Sequence, residues 1–141
     1  RCPGWNDARR GGFLGVLPEH GPKELYRGLL AGILCNLYQC YETLCACSQE
    51  PLDIRVSGGV LHSPQWTQML ADFLQRELLC ANEPDASTIG AALLAAHAAG
   101  DPAPLGQGSN TSMHRVRPRA SQAEACRSLY ERYRSAYLSG L

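Results

Sequence analysis

Gly58, Gly59, Ser63 and Pro64 are the residues of this chain whose types and order best suit the holding of a ligand. They lie in the stretch from Arg55 to Leu78, RVSGGVLHSPQWTQMLADFLQREL, where a β-rich run, a Gly-Gly turn and a capped helix follow one another without slack. A glycine has no Cβ and reaches backbone angles closed to other residues, so a phosphate, a ribose or a flat base can come up against the bare main chain. Ser63 can cap a helix whose first position is Pro64, and the free N–H groups at such an end favour an electronegative partner. A glycine pair between a strand and a helix is also an ordinary tight connection, so the pair alone does not choose between the two readings.

Other reactive side chains carry less. His62 adjoins the turn, either as a polar neighbour of a ligand or as a merely exposed loop histidine. Asp72 comes more than two helical turns after Ser63, which makes it a structural or solvent-facing carboxylate. The cysteines (Cys2, Cys35, Cys40, Cys45, Cys47, Cys80 and Cys126) are odd in number and mostly sit in apolar helical context, so they read as buried thiols rather than a secreted disulfide scaffold. Zinc sites usually present C-x-x-C pairs, and steps of five residues turn about 140° around a helix, so Cys35, Cys40 and Cys45 do not share one side. No metal ligand is assigned.

The elements that must position the turn follow from periodicity. Apolar residues from Pro22 to about Leu44 recur at helical spacing and predict a long helix with a wide buried face. Gly28 and Gly32, one turn apart on it, permit close packing of a neighbour. Asp53 to Ser57 alternates as a short strand, the helix from Pro64 to about Glu77 buries Trp66, Met69, Leu70, Phe73 and Leu74, and Leu78 to Ala81 forms a second strand. Trp66 has a minority reading as a base-stacking platform. Asp85 caps an alanine-rich helix that Gly100 terminates. Proline, glycine and serine make Asp101 to Pro118 a loop, within a loop region spanning 101–120. The arginines Arg115, Arg117 and Arg119 fall in a short solvated run. Ser121 and Glu124 form a capping-box pattern for a last helix with Leu129, Tyr130, Tyr133 and Tyr137 along one side, a packing stripe. Alternating helices and strands predict an α/β layer with parallel neighbours.

Three blocks of this sequence resemble, in order and spacing, the carboxy-terminal half of the FGGY carbohydrate kinases. Trp5-Asn-Asp-Ala-Arg-Arg-Gly-Gly-Phe-Leu-Gly-Val is similar to the family's W-D-x-x-A-R-G-x-F-x-G-L run, and Glu24 to Gly32 resembles the helix after it. Gly58 to Asp72 resembles the G-G-x-x-x-S-P-x-W-x-Q-x-x-A-D element that holds the adenosine of ATP. Asp85 to Ala96 resembles the A-x-x-x-G-A-A helix. The resemblance runs from Arg1 to about Gly100 and implies an α/β fold of the actin-like ATPase (ribonuclease H-like) class, with residues 1–141 a carboxy-terminal fragment lacking the domain's opening strands. It implies that Gly58, Gly59 and Val60 line adenosine through their backbone and that Ser63 makes a polar contact to the base. ATP and Mg2+ are the implied cofactors, a sugar, sugar acid or polyol the substrate, and an amino-terminal kinase half the missing partner. Val60 after the glycine pair resembles gluconate-kinase-like members more than xylulose-kinase-like ones, which usually carry a third glycine. Ala31 stands where the family often has a carboxylate, and Leu29 where it has a small residue. The family's catalytic aspartate, phosphate loop and sugar pocket have no match here, so no catalytic residue is assigned.

Composition sets the remaining bounds. With 141 residues, 45% of them hydrophobic, the chain can build one core. Thirteen basic and 13 acidic residues give zero formal charge, which favours neither nucleic acid nor an anionic membrane. No apolar run approaches the roughly 20 residues that span a bilayer, and Arg1 opens neither an initiator methionine nor a signal peptide, so the chain reads as cytoplasmic and incomplete. With opening strands upstream, the expectation is an exposed sheet edge. The reading is the ATP-binding half of a carbohydrate kinase. The alternatives are a truncated, non-catalytic remnant that binds nucleotide or a protein partner, and a small α/β interaction module without a nucleotide site.

Overall fold

A computed structural model of the chain describes residue 8 and residues 10–81, 86–100 and 112–139. Helix α1 (Pro22–Cys47) starts where Pro22 supplies the first position and Glu24 reaches back to accept the Gly21 N–H at 2.9 Å. It stops where the Ser48 hydroxyl and N–H both donate to Leu44 O. Strand β1 (Ile54–Val56), a 3₁₀ turn (Gly59–His62), helix α2 (Pro64–Leu74) and strand β2 (Leu78–Ala81) follow, then helix α3 (Ala86–Ala98), strand β3 (Met113–Val116), a second 3₁₀ turn (Ala120–Gln122) and helix α4 (Ala123–Leu138).

The sheet has the order β1-β2-β3. β1 runs parallel to β2, with Ile54 opposite Leu78 and Val56 opposite Cys80. β3 runs antiparallel to it, with Leu78 opposite Val116 and Ala81 opposite Met113. β2 is therefore central, and its alternate residues Leu78 and Cys80 are fully buried. Helix α2 is the hub. One side, through Ala71 and Leu74, packs on Leu78 and Cys80 of the sheet; the other, through Phe73, joins Leu34 and Cys35 of α1 and Tyr130 of α4. Outer strand β1 has a paired neighbour on one side among the described residues, in line with the exposed edge expected from the sequence.

Several expectations need correction. The 101–120 region is not loop throughout: Met113–Val116 is a strand, while 101–111 lies outside the described residues. Arg115, Arg117 and Arg119 are exposed, as read, and are also ion-pair partners: Arg115 and Arg117 both grip Glu77, Arg117 at 2.9 Å, and Arg119 grips Asp72. Their charge disguised a half-buried Val116 facing the core. Helix α2 ends at Leu74, short of Glu77, because Gln75 takes a left-handed conformation (φ 50°, ψ 32°) and donates its amide to Asp72 O. The Ser121–Glu124 capping box does not form: Ser121 lies inside the second 3₁₀ turn, Gln122 precedes α4 without a side-chain cap, and Glu124 pairs with Arg127 at 2.9 Å. The buried face of α1 is narrower than predicted, since Leu29, Ile33, Leu37 and Leu44 stay exposed while Ala31, Leu34 and Cys35 are buried. A Cβ at Gly28 would touch Phe13 at 3.6 Å, as close packing predicts, but one at Gly32 would meet nothing within 4 Å. The predicted cap Asp85 lies outside the described residues; Gly100 does end the α3 region, at φ +91°.

The tyrosine stripe packs as expected. Tyr130 meets Tyr38 edge-on at 4.7 Å and donates its hydroxyl to Glu42. Burial, and then the Glu42 carboxylate, hold the Tyr130 phenol well above its ordinary pKa. Burial, aided by Cys126, pushes the Cys35 thiol up to about 12, and burial also raises Cys80 and Cys126. Alkylation of the folded chain near pH 8 is therefore expected to modify exposed Cys47 first and to spare Cys35 and Cys80 until denaturant is added. Mass mapping of the labelled peptides checks the order.

Candidate functional site

The turn between β1 and α2 is built from backbone. Gly58 sits at φ 85°, ψ −160°, a region essentially reserved for glycine. A Cβ placed on Gly58 or Gly59 would meet no atom within 4 Å, so the main chain there faces open space. Leu61 N–H closes the 3₁₀ turn onto Gly58 O at 3.0 Å, and Ser63 N–H reaches Val60 O at 3.3 Å. Ser63 then caps α2: its hydroxyl oxygen accepts the Trp66 N–H at 3.3 Å, with Pro64 at the first helical position. That bond does not use the hydroxyl hydrogen, which is free to donate outward. Replacing Ser63 with alanine is expected to cost about 1 kcal/mol of stability through the lost cap, read as a lower urea midpoint.

The structure thus brings Gly58, Gly59, Val60 and Ser63 together within one short connection, with the glycines exposed and Val60 and Ser63 half-buried. His62 is exposed beside them. Trp66 packs against the Leu34–Phe73 core, as a core residue and not as a stacking platform. Asp72 is 2% exposed and wholly engaged with Gln68 and Arg119, so it is structural. Sequence reasoning passed over Thr67. This residue is 3% exposed, and its hydroxyl lies 2.9 Å from Val60 O and 3.1 Å from Ser63 O. The signal was a threonine four residues after the capping serine, the spacing at which a helical hydroxyl meets a first-turn carbonyl.

A cleft of about 100 Å³ between α1, α2 and α4, bordered by Arg27, Asp72, Phe73 and Arg119, does not include any of the four turn residues. Ala31 lines this cleft. Among the described residues, no group of three or more His, Cys, Asp or Glu side chains is arranged to hold a metal ion. Of the α1 cysteines, Cys35 is buried, Cys40 and Cys45 are half-buried and Cys47 is exposed. No helix among the described residues is long and apolar enough to cross a membrane. What the site offers is an exposed, pre-bent stretch of main chain at a capped helix start, suited to binding and positioning.

The sequence model of the FGGY family of carbohydrate kinases, C-terminal domain, matches residues 1–99. The chain belongs to the FGGY family of carbohydrate kinases. Among curated FGGY relatives it is 33% identical to the gluconokinase of Bacillus subtilis (strain 168) over 101 residues, covering 71% of this chain and 20% of that protein. Among solved structures it superposes on a ligand-bound xylulose kinase from Lactobacillus acidophilus with a TM-score of 0.81 at 26% identity, covering 99% of this chain and 29% of that one. A gluconate kinase from the same organism gives a TM-score of 0.78 at 26% identity, covering 97% and 28%. The fold is therefore the actin-like ATPase fold of FGGY kinases, represented here by a mixed α/β unit with a three-stranded sheet. The chain spans 20% to 29% of the length of these FGGY proteins.

Proposed function

We propose that this chain is the ATP-binding part of a carbohydrate kinase that transfers the γ-phosphate of ATP to a hydroxyl of a sugar, sugar acid or polyol, gluconate-like or xylulose-like. The observation that carries the reading is the turn itself: Gly58 at φ +85° and Gly59 present open backbone directly before the Ser63-capped start of α2, in a chain of a carbohydrate kinase family. Gly58, Gly59 and Val60 would lie along the adenosine through main-chain contact, and Ser63 would donate to the base. The contact needs no side chain, which explains why a glycine pair serves it.

Phosphoryl transfer chiefly requires positioned phosphates, a magnesium ion and a carboxylate that accepts the hydroxyl proton. In this reading the described residues would contribute the seat for the nucleoside. Among the described residues no group of three or more His, Cys, Asp or Glu side chains is arranged to hold Mg2+, and in this reading its ligands and the catalytic base come from the amino-terminal kinase half. The same holds for the sugar pocket. Closure of an amino-terminal half over the turn would sequester the phosphates from water. Exposed Leu29, Ile33, Leu37 and Leu44 on α1 and the outer edge of β1 support a seat for such further sequence. A cytoplasmic location belongs to the same proposal, supported by cysteines that mostly lie in apolar helical context.

The test is a panel of sugars, sugar acids and polyols offered with ATP and Mg2+ to the complete polypeptide as its source makes it. Phosphorylation of one of them, with ADP formed in equal amount, is the expected result. Nucleotide binding without phosphorylation of any acceptor would favour the alternative reading, a non-catalytic remnant.

A further inference from the structure

We propose that Thr67 is a positioning residue that holds the glycine turn in its ligand-ready shape before nucleotide arrives; the inference rests on the nucleotide reading above. Gly58 and Gly59 have no side chains and no neighbour within 4 Å of a notional Cβ, so packing does not order them. Two consecutive glycines lose more conformational freedom on ordering than any other pair, and a ligand that had to order them would bind more weakly. Some internal bond must therefore do the ordering.

The hydrogen bonds at Val60 O supply it. Val60 O accepts from Ser63 N–H at 3.3 Å, a long bond, and from the Thr67 hydroxyl at 2.9 Å, a short one. The Thr67 hydroxyl has one hydrogen and two carbonyls in reach. Ser63 O, at 3.1 Å, already receives the Thr67 N–H at 2.9 Å within the helix, whereas Val60 O lies seven residues back, in the turn. The bond to Val60 O is therefore the one that ties the turn to the body of α2. Thr67 is 3% exposed, so water does not compete for its hydroxyl. Its helix is anchored in turn between the sheet and the α1–α4 face. Rigidity passes from the core through one hydroxyl to the main chain on which the adenosine would rest.

Thr67→Val keeps the shape and removes the donor; Thr67→Ser keeps the donor. On the chain without ligand, amide hydrogen exchange at Leu61 and Ser63 is expected to accelerate about fivefold in the valine variant, with α4 amides unchanged, and to return to the original rate in the serine variant. Isothermal titration with ATP is expected to show affinity falling by roughly the same factor in the valine variant and restored by serine. Unchanged exchange in the valine variant would overturn the positioning role whatever the nucleotide does. Faster exchange with undiminished ATP affinity would show that the turn is held by Thr67 but is not pre-ordered for ATP, and would also overturn it. No ATP binding by the unaltered chain would instead overturn the nucleotide reading and the inference with it.

Discussion

Replacing Asp72 with alanine is expected to cost the fold about 3 kcal/mol. The carboxylate is 2% exposed and collects four donors: Gln68 Nε2 at 3.0 Å, Arg119 backbone N–H at 2.8 Å, and the Arg119 guanidinium through Nε at 3.0 Å and a second nitrogen at 2.5 Å. Gln68 also donates to Arg117 O at 2.8 Å, so helix α2 holds the connection from β3 to α4 at several points. Removing the carboxylate strands the Arg119 N–H and the Gln68 amide and frees that connection. Asp72→Asn keeps the volume and one acceptor and should lose less, about 1–2 kcal/mol. Urea unfolding followed by circular dichroism measures both.

The same site fixes a pH dependence. Burial by itself would raise the Asp72 carboxyl, but the hydrogen bonds from the Arg119 side chain and backbone and from Gln68 together outweigh it and hold the pKa below the ordinary aspartate value. A folded-state pKa below the unfolded one contributes stability that is fully present above about pH 4 and is lost as pH falls through the lower folded value. The stability gap between the original chain and Asp72→Asn is therefore expected to stay constant from neutral pH to about 5 and to close on further acidification. A gap unchanged at pH 3 would show that the charge on Asp72 is not what stabilises this junction.

Gly59→Leu is expected to leave stability within about 0.5 kcal/mol of the original, because no atom lies within 4 Å of a Cβ there and its backbone is not left-handed. Its ATP affinity should nevertheless fall at least about tenfold, since the new side chain fills the space the adenosine would occupy. Gly58→Ala behaves differently. At φ 85° and ψ −160° a side chain is strained whatever the surroundings, and about 1–3 kcal/mol of stability should go with it. The contrast separates the two roles of the pair: Gly58 makes the bend, and Gly59 keeps the bent chain bare. ATP affinity undiminished in Gly59→Leu would remove the turn from the nucleotide site.

The turn was legible in the sequence because its signals are local. Glycine, capping serine and first-position proline act within a few residues, and the structure places all of them as their chemistry requires. Strands β1 and β2 and the start of α1 were legible for the same reason. Features that depend on partners distant in sequence were not. Strand β3 was hidden because Arg115 and Arg117 find Glu77 about 40 residues earlier. The end of α2 was hidden because Gln75, rather than a glycine, takes the left-handed position. The wide apolar face of α1 promised burial on all its rows, while the described residues cover the row through Leu34 and Cys35 and leave Leu29, Ile33 and Leu37 bare.

The most direct measurement is titration of the ¹⁵N-labelled chain with ATP, followed by the shifts of its backbone amide signals. The account predicts saturable changes concentrated at Gly58, Gly59, Val60 and Ser63, with little at Arg27 and Arg119 around the α1–α4 cleft. Changes centred on that cleft, or none at all, would contradict it.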